Sequence, residues 1–261
     1  MKKVHLFLMG CLTLMLAGCF EITEELTIAE NGSGTYENKM DMSGLFDMME
    51  MAASMDTSAS TKEGLDKLKE KIDTTISMSS FSDTASNLTA DQKALMKNAK
   101  MRLRINQEAK EMKMDMNYPF TQLSDVQQLM KLNGEGGSFK MLGKAMKGEQ
   151  NEMMGGDEGT PGMPDLSSFF DYTYRNGLLE RRFSEAKFKE ASSSEKFKEF
   201  QQAAPMMESV KMNTVIHLPR AAKKAEGTGV KLSSDRKTVT ISASLSDIAS
   251  DPKVLGYRVE Y

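Results

Sequence analysis

Residues 170–183 read Phe170-Asp171-Tyr172-Thr173-Tyr174-Arg175-Asn176-Gly177-Leu178-Leu179-Glu180-Arg181-Arg182-Phe183. Phe170, Tyr172 and Tyr174 alternate with other side chains, and Leu179, Arg181 and Phe183 take up the alternation on the far side. Between them Asn176-Gly177 is a dipeptide that tolerates the positive φ angles of a type I′ turn. A period of two on both sides of such a pair predicts a β-hairpin.

The same grammar recurs outward in both directions. Toward the N-terminus, Met101, Leu103 and Ile105 oppose Met112, Met114, Met116 and Tyr118, with Pro119 expected to end the strand. Further back, Phe20, Ile22, Leu26 and Ile28 alternate, Glu30-Asn31-Gly32-Ser33-Gly34 supplies a turn, and Tyr36, Met40 and Met42 alternate again. Toward the C-terminus, Val210, Met212, Thr214, Ile216 and Leu218 form a strict alternation ending at Pro219. Val230 and Leu232 then pair with Val239, Ile241, Ala243 and Leu245 around Ser234-Asp235-Arg236, and Leu255, Tyr257, Val259 and Tyr261 read as a last strand.

Helical spacing fills the gaps. A Met-rich segment from Ser43 to about Met55 reads as a helix. Thr61 is placed to cap a second, carrying Leu65, Leu68, Ile72 and Ile76, and Thr89 opens a third that runs to about Asn98. Ser124-Asp125-Val126-Gln127 has capping-box spacing before a helix to about Leu132, and Ser194 to Ala204 carries Phe197 and Phe200 before Pro205 stops it. Strands grouped in hairpins, without βαβ alternation, predict an α+β fold: a long curved antiparallel sheet built of sequential β-hairpins, with helices on one face. Residues 133–166 hold Gly134-Glu135-Gly136-Gly137 and Gly155-Gly156, and are expected to be a flexible Gly/Met-rich loop, partly helical near Phe139 to Met146. The helices on either side carry too little apolar surface to stand alone, so residues 19–261 are expected to form a single domain.

Lys2 and Lys3, the apolar run Val4 to Leu16 and the small pair Ala17-Gly18 follow the grammar of a secretory signal over residues 1–18. The run is shorter than the ~20 apolar residues that span a bilayer. Leu16-Ala17-Gly18-Cys19 is a lipobox pattern, in which the Cys19 thiol is acylated and the signal removed. Two acyl chains hold a protein far more firmly than one. Removal of residues 1–18 takes two lysines and no acids, moving the net charge from −3 to −5 and arguing against nucleic acid as a partner. Cys11 would leave with the signal and Cys19 would be committed to lipid, so the mature chain has no thiol for a disulfide or a zinc site.

The sequence holds no pattern for a catalytic site or a cofactor. The Gly-rich segments lack the Gly-Lys-Ser/Thr ending of a phosphate loop, and there is no Gly-x-Ser-x-Gly elbow. His217 is the sole mature histidine and reads as a strand-face residue at a sheet edge. The acids Glu24-Glu25 are adjacent, so on a strand they point to opposite faces and make poor acid–base partners. Methionine, at 24 residues, is the one chemical lead. Three roles are open to it: plain core filling; an adaptable apolar pocket, with Met48, Met51, Met112, Met114 and Met116 as candidate ligand-binding residues; or copper(I) ligation by clusters such as Met48, Met49 and Met51 or Met153 and Met154. No metal site is assigned.

The stretch Cys19-Phe20-Glu21-Ile22 through Asp41-Met42-Ser43 resembles the opening of bacterial envelope lipoproteins, in which a strand leaves the lipidated cysteine and turns at an Asn-Gly-Ser-Gly-like loop. His217-Leu218-Pro219, Gly227-Thr228-Gly229 and Asp235-Arg236-Lys237-Thr238-Val239-Thr240 resemble the end of LppM-like lipoproteins, whose domain is a curved sheet with helix. The resemblance implies a lipid-anchored protein of the cell envelope whose domain binds lipid. The apolar strand faces, which supply more apolar surface than polar function, lead to the expectation of a non-enzymatic protein that binds an apolar ligand or an envelope protein partner, with a copper(I)-binding lipoprotein or a purely structural or assembly lipoprotein as the alternatives. Phe20 after the cysteine, rather than an acid, implies the outer membrane by similarity to sorting in enteric bacteria.

Overall fold

A computed structural model describes residues 20–44, 46, 47, 50, 71–79, 82, 88–134 and 164–261. Within them the chain is α+β and mainly antiparallel, as the alternation predicts. Its twelve strands divide between two sheets rather than forming one.

The larger sheet begins with β1 (Glu21–Ile28) and β2 (Gly34–Asp41), joined by the expected turn. Gly32 takes φ +84°, and a Cβ on Gly34 would lie 1.9 Å from the Thr27 carbonyl oxygen, so neither position suits a larger residue. β3 (Ile72–Ser77), β4 (Lys100–Asn106) and β5 (Glu111–Phe120) extend the sheet on one side. On the other, β8 (Lys211–His217) runs parallel to β1, followed by β11 (Thr238–Ser244) and the short β10 (Lys231–Leu232). The spatial order is β10-β11-β8-β1-β2-β5-β4-β3. The smaller sheet, β6-β7-β12-β9, contains the 170–183 hairpin as β6 (Phe170–Arg175) and β7 (Leu178–Phe183), with β12 (Tyr257–Glu260) and β9 (Lys224–Glu226).

Several local expectations are corrected. Among the described residues, non-glycine positive φ occurs at Lys110 and Arg236 only, while Gly177 is at +83°; the Asn176-Gly177 turn thus has the pattern of type II, not type I′. Ile72 and Ile76 lie in β3, not in a helix, because a spacing of four fits a period of two as well as one of 3.6, and the β-branched run Ile72-Asp73-Thr74-Thr75-Ile76 favours the strand. The N-terminal part of that expected helix falls outside the described residues. Pro119 lies within β5, opposite Thr35, at a level where β4, whose pairing begins at Asn117, no longer needs its amide. His217 sits on an interior strand, between β1 and β11, and not at an edge. Leu245 starts a helix and Leu255 belongs to a 3₁₀ turn, so neither extends a strand.

Five helices are described along their length, and Gly44, Phe46, Asp47 and Glu50 are helical within the expected Ser43–Met55 segment. α1 (Ala90–Lys97) has the expected Thr89 cap, closed reciprocally by Gln92. α2 (Leu123–Gly134) starts before the expected Ser124 box, with Asp125 accepting instead from the amide and side chain of Gln122. α3 (Glu185–Ser192) is an addition, α4 (Glu195–Ala203) follows its Ser194 cap, and α5 (Leu245–Ser250) is held by a Ser244/Asp247 box. The 135–163 part of the expected loop lies outside the described residues.

The inner face of the large sheet meets the small sheet and α2 in one core, where Ile22, Leu26, Met114, Val126, Leu129, Leu179 and Val259 are all buried. A second core is aromatic. Phe169, Phe188 and Phe197 stack edge-to-face at 5.4–5.6 Å beneath Phe200, Leu245 and Ile248. The outer face of the large sheet carries charge pairs instead, including Arg104–Asp115 at 2.8 Å, Lys39–Glu25 at 2.6 Å and Arg102–Asp73 at 3.0 Å.

Candidate functional site

Alternation on β5 directs Met112, Met114 and Met116 inward, and all three are essentially fully buried. Their ladder partners on β4 are Ile105, Leu103 and Met101, and Met40 of β2 lies opposite Met114 on the other side. Met78, Met96 and Met130 join the same core. Three of the five candidate methionines are therefore brought together, in an interior unusually rich in flexible thioether side chains. Met48 and Met51 fall outside the described side chains, as do Met49, Met153 and Met154. The start of the Met-rich segment is visible: the Ser43 hydroxyl accepts from the Met112 amide at 3.1 Å, and Phe46 is buried. Cys19 is also outside the described residues, but β1 begins only two positions after it.

The same interior contains a polar cluster that sequence reasoning missed. Glu24 occupies an inward position of β1 between Ile22 and Leu26, and its carboxylate accepts from the guanidinium of Arg181, inward on β7. Their side chains are 18% and 5% exposed, so the pair is nearly dry. Tyr36 donates to Glu24 at 3.3 Å and Thr214 does so at 3.3 Å. The Arg181 guanidinium also lies 5.4 Å from the Tyr257 ring centre and 5.7 Å from that of Tyr172, within cation–π range.

Around this pair, Tyr174 and Tyr257 share a hydroxyl–hydroxyl hydrogen bond of 2.7 Å, and Tyr174 donates to the Met130 sulfur at 3.1 Å. Burial pushes the Tyr172, Tyr174 and Tyr257 hydroxyls above their ordinary range, so they remain protonated donors. Burial opposes the charge of Arg181, but the Glu24 carboxylate and the surrounding phenols outweigh it and hold the guanidinium firmly protonated. Asn38 of β2, directly across from Glu24, is buried as well. Its Oδ1 and the Arg181 Nε find no hydrogen-bond partner among the described residues. The signal for this cluster was present in the sequence as polar residues in phase with apolar ones: Glu24 between Ile22 and Leu26, Asn38 between Tyr36 and Met40, and Arg181 between Leu179 and Phe183.

The neighbouring Glu25 points outward, as adjacency on a strand requires. It meets Lys39 and, at 2.9 Å, the His217 Nε2. Burial alone would raise the Glu25 carboxyl, but Lys39 and His217 outweigh it and hold the group below its ordinary value. Among the described residues no group of three or more His, Cys, Asp or Glu converges as a metal site. An open groove of about 400 Å³ lies over β7 and β12, lined by Glu180, Arg182, Phe183, Lys253 and Arg258 among others; its charges are mixed and favour no single ligand. No helix among the described residues is long and apolar enough to cross a membrane.

No protein-family model matches the chain, and no curated protein matches it. Among solved structures, the chain is similar to the NMR structure of the folded domain of the Mycobacterium tuberculosis LppM protein, over 93% of this chain and 90% of that one, at 10% identity and a TM-score of 0.37.

Proposed function

We propose that this chain is a non-enzymatic lipoprotein of the cell envelope, anchored through Cys19, that holds an apolar ligand in the methionine-rich interior of its large sheet. The observation that carries the ligand reading is the convergence of Met40, Met101, Met112, Met114, Met116 and Met130 in one buried region. Methionine is unbranched and adapts its shape at low cost, so an interior built of it can repack around a guest where leucine or isoleucine would favour one packing.

The anchor reading rests on Leu16-Ala17-Gly18-Cys19 and on the short run from Cys19 into β1. β1 is an interior strand of the large sheet, so an anchor there would tether the domain by its framework and not by a loose tail. The outer membrane is the proposed location. Cys19→Ser tests the anchor: the variant should accumulate as a precursor that retains residues 1–18 and fails to partition into a detergent phase. Normal processing and partitioning of this variant would refute the anchor.

A further inference from the structure

The Glu24–Arg181 pair bears on what kind of head group the proposed ligand carries. The two charges neutralise each other inside a shell of Tyr172, Tyr257 and the methionine core. A guest that brought an ionised carboxylate into this shell would add a charge with no counter-ion, which a buried, weakly screened environment penalises heavily. Of the four buried side-chain polar atoms without partners among the described residues, Arg104 Nε and Tyr261 Oη belong to other parts of the fold, and the two at this cluster are one donor, Arg181 Nε, and one acceptor, Asn38 Oδ1. Both flank Glu24, one within the guanidinium that binds it and the other directly across the β1–β2 ladder. A carboxylate can only accept, and so satisfies only the first. A hydroxyl both donates and accepts, and so is suited to both.

Resting on the reading that the interior holds an apolar ligand, we infer that the ligand is an uncharged, hydroxyl-headed amphiphile, of the class of monoacylglycerols and long-chain alcohols, with its head between Arg181 and Asn38 and its chain along the methionines of β5. The pair then acts as a selectivity device: it supplies polar contacts at depth while rejecting free fatty acid.

The test uses the full chain in phosphatidylcholine nanodiscs and a monoacylglycerol with a photoactivatable diazirine in its acyl chain, with the labelled peptides mapped by mass spectrometry. Unlabelled monopalmitoylglycerol should displace the label from β1, β2, β5 and β7 peptides at a concentration about tenfold lower than palmitate, compared at a pH where palmitate is ionised. Asn38→Leu should erase that advantage while leaving labelling of β5 in place. Glu24→Gln leaves Arg181 uncompensated and should make palmitate the stronger competitor; if that variant does not fold, the wild-type and Asn38→Leu competitions decide alone. Palmitate competing as well as monopalmitoylglycerol on the wild type would overturn the head-group assignment and leave the ligand reading standing. Labelling that avoids the interior, or that neither competitor displaces, would refute both.

Discussion

Arg181 of β7 donates its Nη2 proton to the carboxylate of Glu24 of β1, tying the small sheet to the large one through a charge pair almost without solvent. The two residues are far apart in sequence, and each belongs to a hairpin that its own turn chemistry specifies. Their meeting therefore reports how the hairpins pack together, and it ranks the contacts that hold the domain: the outer-face pairs sit in water and add little, whereas this one is costly to break.

Removing one partner leaves the other buried and unpaired. Arg181→Met is expected to lower stability by about 3–5 kcal/mol, whereas the double change Glu24→Leu with Arg181→Met should recover most of that loss, since an apolar pair of similar volume replaces a desolvated ion pair. Urea unfolding of both variants, read with unchanged m-values, measures the difference. A double variant no more stable than the single one would show that the pair does not act as a unit.

The methionine interior makes a second, graded expectation. Met114, fully buried between Met40 and Leu103, should cost about 2–5 kcal/mol on truncation to alanine, yet under about 1.5 kcal/mol on replacement by leucine. Chemical denaturation gives both values. On the ligand reading, Met114→Leu with Met116→Leu should in addition reduce uptake of an apolar fluorescent probe while preserving stability, because leucine fixes the packing that methionine leaves adjustable.

Most of the architecture could be read from local pattern. The alternation at 101–105, 112–118, 170–174 and 210–218 places strands that the fold contains, the last of them running Lys211–His217, and Thr89 and Ser194 place helix starts, because turn residues and capping hydroxyls act on their immediate neighbours. What local pattern lacked was information about partners distant in sequence. The parallel pairing of β1 with β8 joins the first and eighth strands and leaves no mark on either. Ile72 and Ile76 lie on a strand although their four-residue spacing also fits a helix, and Leu245 continues the apolar phase of β11 although Ser244 and Asp247 cap a helix there. The polar cluster was visible as Glu24, Asn38 and Arg181 standing in inward positions, but a single inward polar residue reads as noise until its partner on the opposing sheet is known.

The Glu25 network sets a pH dependence. Its carboxyl lies below its ordinary value near 4.5 in the folded chain, so the unfolded state binds the proton more readily and the contribution of Glu25 to stability is complete above that ordinary range. It is lost as pH falls through the depressed native value. Comparing wild type with Glu25→Gln, the stability gap should close on acidification, and a carboxyl-carbon NMR titration should place Glu25 below the exposed glutamates. A gap that persists once pH has fallen below the carboxylate range would contradict the Lys39–Glu25–His217 arrangement.

Native mass spectrometry of the full chain released gently from its membrane tests the central claim most directly. The account predicts a chain that has lost residues 1–18 and gained covalent acyl mass at Cys19, together with a second population heavier by one non-covalently bound lipid that collisional activation removes. A chain that still carries Met1, or a processed chain that never retains a lipid beyond its anchor, would contradict it.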